Sequence, residues 1–199
     1  MDTYQTIAAP SEGVYVEKRS KFLAFAYPVS TLDEIKERVG ECQKKYYDAR
    51  HVCYAYMLGP ERLQFRTNDN GEPSGTAGKP ILGQINSNNL INILIVVVRY
   101  FGGIKLGTSG LIVAYRLAAA EAIAAAEVVE RTVDETISVS FAYPSMNSVM
   151  RIVKEENPQI LQHGYESACT MTLRIRKDAM PRLRARLLQV DTLCVDENT

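Results

Sequence analysis

At 199 residues, 46% of them hydrophobic and 23% charged, the chain is long enough to bury a sizeable core and too ordinary in composition for long-range disorder. Lys plus Arg and Asp plus Glu each number 23, so no global field draws it to nucleic acid or to an anionic membrane, and any such attraction has to be local. The N-terminus lacks a secretory-signal pattern, no apolar run nears the roughly 18 residues of a membrane span, and Cys42, Cys53, Cys169 and Cys194 form no CxxC pair; a cytoplasmic protein with four reduced core or near-core thiols is expected.

Residues up to Glu12 read as a loose lead-in. Val14 to Glu17 and Phe22 to Val29 then read as a strand hairpin around the charged turn Lys18 to Lys21. Ser30 and Thr31 offer an N-cap, and Leu32, Ile35, Val39, Cys42 and Tyr46 recur at helical spacing. His51 to Leu58 is a strand closed by Gly59 and Pro60. Asp69 to Pro80, DNGEPSGTAGKP, has the glycine and proline density of a shaped loop, and a short helical piece at Ile81 to Ile85 follows it. Ile91 to Val98 is almost continuously apolar, as a strand buried on both faces would be. A second glycine motif, RYFGGIKLGTSG from Arg99 to Gly110, leads into an alanine-dense helix over Leu111 to Val129, which places backbone amides near Gly107 to Gly110 at a helix N-terminus.

The pattern changes at Glu130 to Asp134, giving domains 1–132 and 133–199. The second reads as a strand from Thr136, a helix over Pro144 to Glu155, and strands at Ile160 to Tyr165 and Ala168 to Arg176 turning near Glu166 and Ser167. A helix over Ala179 to Gln189 and a short strand at Leu193 to Val195 complete a ferredoxin-like βαββαβ order. The fold class is therefore α+β in two domains.

The chemistry open to these residues is limited. GTAGKP is not a phosphate-binding P-loop, because Pro73 and Pro80 stand where its first glycine and its Ser or Thr belong. A looser anion site could use Lys79, Lys105, Arg99 and glycine amides, although these cations could equally pair with Asp69 and Glu72 or solvate the surface. His51 and Cys53 share a strand face, but only two histidines exist, so neither a metal nor a cofactor is expected. Acid-base chemistry would have to use His51, Asp69 or Glu72, residues that more often cap turns or fill cores. Arg174, Arg176, Arg182 and Arg186, with Lys177 and Arg184 between them, form a basic patch suited to phosphate backbones or to plain solvation.

KRSKF (Lys18 to Phe22), DARHVCYAY (Asp48 to Tyr56), DNGEPSGTAGKPIL (Asp69 to Leu82) and VVVRYFGGIKLG (Val96 to Gly107) closely resemble the bacterial YigZ branch of the IMPACT family. Asn70 and Ser109 depart from its more usual Asp and Gly. The resemblance implies an N-terminal α/β domain similar to ribosomal protein S5 domain 2, followed by a ferredoxin-like domain similar to one in translation elongation factor G. It also implies a link to translation, since eukaryotic relatives regulate initiation. Their kinase-activator partner depends on an extra module for which this chain has no room.

These lines lead to the expectation of a non-enzymatic, translation-linked regulator that binds RNA or the ribosome through its glycine loops. The expected contact residues are Asp69, Gly71, Glu72, Gly75, Thr76, Gly78, Lys79, Arg99, Tyr100, Gly102, Gly103, Lys105 and Gly107, with the C-terminal arginines extending the contact. The alternatives are a hydrolase using the same cleft and a protein-interaction module.

Overall fold

The computed structural model describes residues 2–165 and 168–196, so the turn expected at Glu166 and Ser167 lies outside the described residues. The chain divides into two compact units, residues 4–131 and residues 132–199 joined by residues 1–3.

The first unit runs β1 (Thr3–Ile7), β2 (Ser11–Glu17), β3 (Ser20–Pro28), α1 (Leu32–Lys45), β4 (His51–Leu58), β5 (Gln64–Asn68), α2 (Gly78–Ser87), β6 (Ile93–Tyr100), α3 (Gly107–Ala124) and β7 (Val128–Thr132). Its main sheet has the order β2-β3-β6-β4-β5 with antiparallel pairing throughout. β6 sits at the centre, and its alternation supplies two cores. Ile93, Ile95 and Val97 pack with α2 and α3, while Leu94, Val96 and Val98 pack with α1. Burial on both faces explains its unbroken apolar run. Thr31 caps α1 through a reciprocal bond with Glu34, as its sequence foretells.

The alanines of α3 serve packing as well as propensity. Ala114, Ala118, Ala119 and Ala122 are fully buried, and a Cβ built on Gly13 of β2 would stand 2.4 Å from the Ala122 backbone nitrogen. Small residues on both sides let helix and edge strand approach closely.

In the second unit β8 (Asp134–Phe141), α4 (Met146–Glu156), β9 (Gln159–Tyr165), β10 (Cys169–Arg176), α5 (Met180–Leu187) and β11 (Cys194–Val195) form a sheet of order β11-β8-β10-β9, the split βαβ arrangement. Its core holds Val139, Phe141, Val149, Leu173, Leu183 and Leu187.

Several expectations need correction. The lead-in is ordered as β1 and the start of β2, with β1 pairing β7. β5 has no counterpart in the sequence reading, because Gln64 to Asn68 lies on an exposed edge and lacks an apolar face. α2 begins inside the first glycine motif, at Gly78. α3 starts at Gly107 and stops at Ala124, and Val128 and Val129 belong to β7. Cys42, Cys53 and Cys169 are buried, but Cys194 is exposed.

Candidate functional site

All four motif stretches converge at one end of the first unit. The β2–β3 turn places Lys18 and Arg19 at positive φ. Gly102 lies against it so closely that a Cβ there would stand 2.0 Å from the Arg19 carbonyl carbon, and its N–H donates to the Ser20 hydroxyl at 3.2 Å. Across the strands, Phe22, Arg99 and His51 pair in one row.

The first motif wraps round Asp69. Its carboxylate accepts from the backbone N–H groups of Gly75 (2.8 Å), Ala77 (3.1 Å) and Gly78 (2.8 Å). Burial pushes this carboxyl up, but those three donors and Lys79 outweigh it and hold its pKa below the ordinary value. Asp69 thus fills the N-terminus of α2, the place where an external anion would bind. Asn70 accepts from Val52 N–H through its side chain at 2.8 Å, and its carbonyl accepts from His51 Nδ1 at 2.9 Å. The Cys53 thiol donates to the Asp69 carbonyl, and burial pushes its pKa up to about 12, so it stays protonated. Gly71 and Gly75 take positive φ. Gly78 packs 2.8 Å, measured from a built Cβ, from the Asn68 nitrogen. Thr76 is buried and donates to the Pro73 carbonyl.

Glu72 joins the two motifs. Its Oε1 receives Arg99 at 2.6 Å and the Tyr115 hydroxyl of α3 at 2.8 Å, while Oε2 lies 4.0 Å from His51 Nε2. Arg99 is only 6% exposed and its guanidinium sits over the rings of Phe22 and Phe101. Burial, then Cys53 and Glu72, push the Tyr115 hydroxyl far above its ordinary range. The sequence leaves Arg99 open between a phosphate contact and pairing with Asp69 or Glu72, and offers Asp69, Glu72 and His51 only as weak acid-base candidates; the structure pairs Arg99 with Glu72 and places all four in internal contacts. Cys53, which the sequence offers only beside His51 as a metal ligand, and Tyr115, which it does not single out, complete the cluster. The signal for Tyr115 is a single hydroxyl-bearing ring in a buried face otherwise made of Leu111, Ile123 and four alanines.

The second motif is open. The Tyr100 hydroxyl donates to Asp48, which together with partial burial raises its pKa to about 12. Beyond it, Phe101 (54%) and Ile104 (45%) are exposed, as are Lys105, Gly107, Thr108 and Ser109. Gly103 and Gly107 take positive φ with open space beside them. Among the described residues no side chain caps α3 or accepts from its first backbone N–H groups. Lys18, Arg19, Lys79 and Lys105 are exposed and make no ion pair among the described residues.

The C-terminal arginines are engaged. Arg174 donates to Gln159 and lies 4.0 Å from Asp134, and Arg176 pairs with Asp2 at 2.9 Å. Arg182 and Arg186 both donate to Glu156, and Arg186 also pairs with Glu155; Arg186 holds both carboxyls below their ordinary range. Among the described residues no group of three or more His, Cys, Asp or Glu could hold a metal ion, and no helix is long and apolar enough to cross a membrane.

The Impact N-terminal domain model matches residues 18–123, a span that contains all four motif stretches. The chain is 36% identical over 155 residues to IMPACT family member YvyE of Bacillus subtilis, covering 78% of this chain and 71% of that protein. It is 28% identical over 189 residues to IMPACT family member YigZ of Escherichia coli, covering 94% and 93%. A crystal structure described as that of a hypothetical protein aligns over the whole of both chains with a TM-score of 0.78 at 27% identity.

Proposed function

The chain belongs to the IMPACT family, and from that premise we propose that it is a non-enzymatic, translation-linked binding protein that contacts RNA, ribosomal RNA in particular, through its second glycine motif. The translation link is the expectation attached to the family; the geometry supports the RNA half of the reading. The observation that carries it is the contrast between the two motifs. The first closes its own helix N-terminus with Asp69, whereas among the described residues the N–H groups of α3 have no side-chain cap beside Lys105 and exposed Phe101. The contact of Gly102 with Arg19 brings the β2–β3 turn, with Lys18 and Arg19, beside the same loop. Uncapped amides and cations suit phosphates, and an exposed ring suits a base. With Asp69 and Glu72 held internally, a hydrolase would lack its acid and base.

The test is fluorescence anisotropy with ribosomal and unrelated RNA across a salt series. The expected outcome is salt-sensitive binding that Arg19→Ala/Lys105→Ala weakens, each lost phosphate contact lowering the slope by roughly 0.7 to 0.9. Weakening by Arg174→Ala/Arg176→Ala alone would move the contact to the second unit, and salt-indifferent binding would count against the proposal. Phe101 and Ile104 favour a second reading, a protein partner docking on the same loop. Pull-down that survives nuclease treatment and is lost in Phe101→Ala would support it.

A further inference from the structure

The glycine motifs leave unexplained a cleft of about 560 Å³ on the opposite, α1 face of the sheet, between α1 and the β2–β3 hairpin. That volume lies within the range of small-ligand sites. Its floor is aromatic. Phe25 and Tyr46 stack with ring centroids 5.4 Å apart and planes 27° from parallel, and the Tyr27 hydroxyl lies 3.5 Å from the Cys42 sulfur.

The rim is charged and divided. The Lys45 ammonium lies 5.1 Å from the Tyr46 ring centroid and 5.9 Å from that of Phe25, with no carboxylate partner among the described residues. Lys44 precedes it in the same last turn of α1 and also makes no ion pair among the described residues. Arg38, by contrast, is committed to Glu41 at 2.9 Å and covers the Tyr27 ring. Glu12 adds an exposed carboxylate from β2.

This composition discriminates among ligands. A bare phosphate has no use for an aromatic floor, and an alkyl chain has none for two ammonium groups without a carboxylate partner among the described residues. A ring that also carries negative charge uses both, because stacking and charge pairing act on different ends of the same molecule. We propose that this cleft binds a flat aromatic anion of mononucleotide size, its ring against Tyr46, its anionic group on Lys44 and Lys45, and its ring amine or hydroxyl donating to Glu12. The site is independent of the RNA contact at the second glycine motif, which lies on other residues.

The experiment is a two-dimensional NMR titration of the full chain with AMP, adenosine, inorganic phosphate and indole-3-acetate as separate arms. AMP is expected to shift the amides of Tyr27, Cys42, Lys45 and Tyr46, with adenosine and phosphate at least roughly tenfold weaker. Saturation by indole-3-acetate at lower concentration than AMP would keep the aromatic-anion site and identify its ligand as a non-nucleotide. Lys44→Ala/Lys45→Ala, both exposed chain ends, should weaken AMP about tenfold and leave adenosine unchanged. Arg19→Ala/Lys105→Ala should leave AMP binding intact while weakening RNA, which separates failure here from failure of the RNA reading. No shift by either anion at about 10 mM, shifts confined to Lys105 to Gly110, or AMP binding indifferent to Lys44→Ala/Lys45→Ala would overturn the proposal.

Discussion

At the scale of single residues, two carboxylates decide how the glycine motifs hold together. Asp69 accepts three backbone N–H groups, so Asp69→Ala leaves all three short of a partner. A loss of about 1–3 kcal/mol is expected in urea unfolding. Its folded pKa lies below the unfolded value, so the stabilisation is fully present above about pH 4 and is lost as pH falls through the folded pKa. The wild type should therefore lose more stability than Asp69→Asn between neutral pH and acid; parallel curves would show that Asp69 is not the group titrating. Glu72 is the stronger case, because it and Arg99 are both buried. Glu72→Gln leaves an uncompensated guanidinium and should cost about 3–5 kcal/mol, whereas Glu72→Gln/Arg99→Met removes both charges and should lie well short of the sum of the single losses. Additive losses in that cycle would mean the pair does not act as a unit. The sequence showed that these residues matter without showing how: Asp69, Glu72 and Arg99 stand in legible motifs, but pairing over 27 positions depends on strand register and on Tyr115 from α3.

At the scale of elements, what was legible was whatever carries its own periodicity. α1 recurs at helical spacing and β8 and β10 alternate against solvent, while β6 shows itself by an unbroken apolar run buried on both faces. β1, β5 and β7 carry no such signal, because short edge strands such as Gln64 to Asn68 take their conformation from a neighbour rather than from a buried face of their own. The start of α3 was misread for a related reason: glycine at Gly107 and Gly110 lowers propensity, and tertiary context overrides it. Glycine can mark either close contact or mere permissiveness, and the structure separates the two. Gly13 meets the backbone of α3, which cannot yield as a side chain end would, so Gly13→Ala should cost about 1–3 kcal/mol or more. Gly83, exposed within α2, has nothing within 4 Å, and Gly83→Ala should instead stabilise by about 0.5–1 kcal/mol. Urea midpoints of the two variants, compared at unchanged slope, check both signs; a neutral Gly13→Ala would mean that α3 shifts to make room.

At the scale of the whole molecule, each compact unit has a hydrophobic core of its own and its own buried or clustered ion pairs. A chain built so is not expected to unfold as one two-state block. The tie in the first unit is Glu72 with Arg99; in the second it is Glu156, which takes Arg182 and Arg186 from α5 onto the end of α4. Glu72→Gln should lower amide protection in β3, β4 and β6 and leave β8 and β10 as they were, and Glu156→Gln should do the reverse. Hydrogen exchange resolved by residue reads both at once, since the protection of each strand reports the opening of its own cooperative unit. Loss of protection in both sheets from either substitution would show one cooperative unit and remove the basis for treating the two sets of charges separately. Independence carries a consequence for binding. The chain has no net charge to steer a polyanion, and the nominated arginines of the second unit are occupied by Asp2, Asp134, Gln159, Glu155 and Glu156. Glu156→Gln partly frees Arg182 and Arg186 while the first unit stays intact, so RNA affinity should hold steady if the contact belongs to the second glycine motif and rise if it belongs to the arginines.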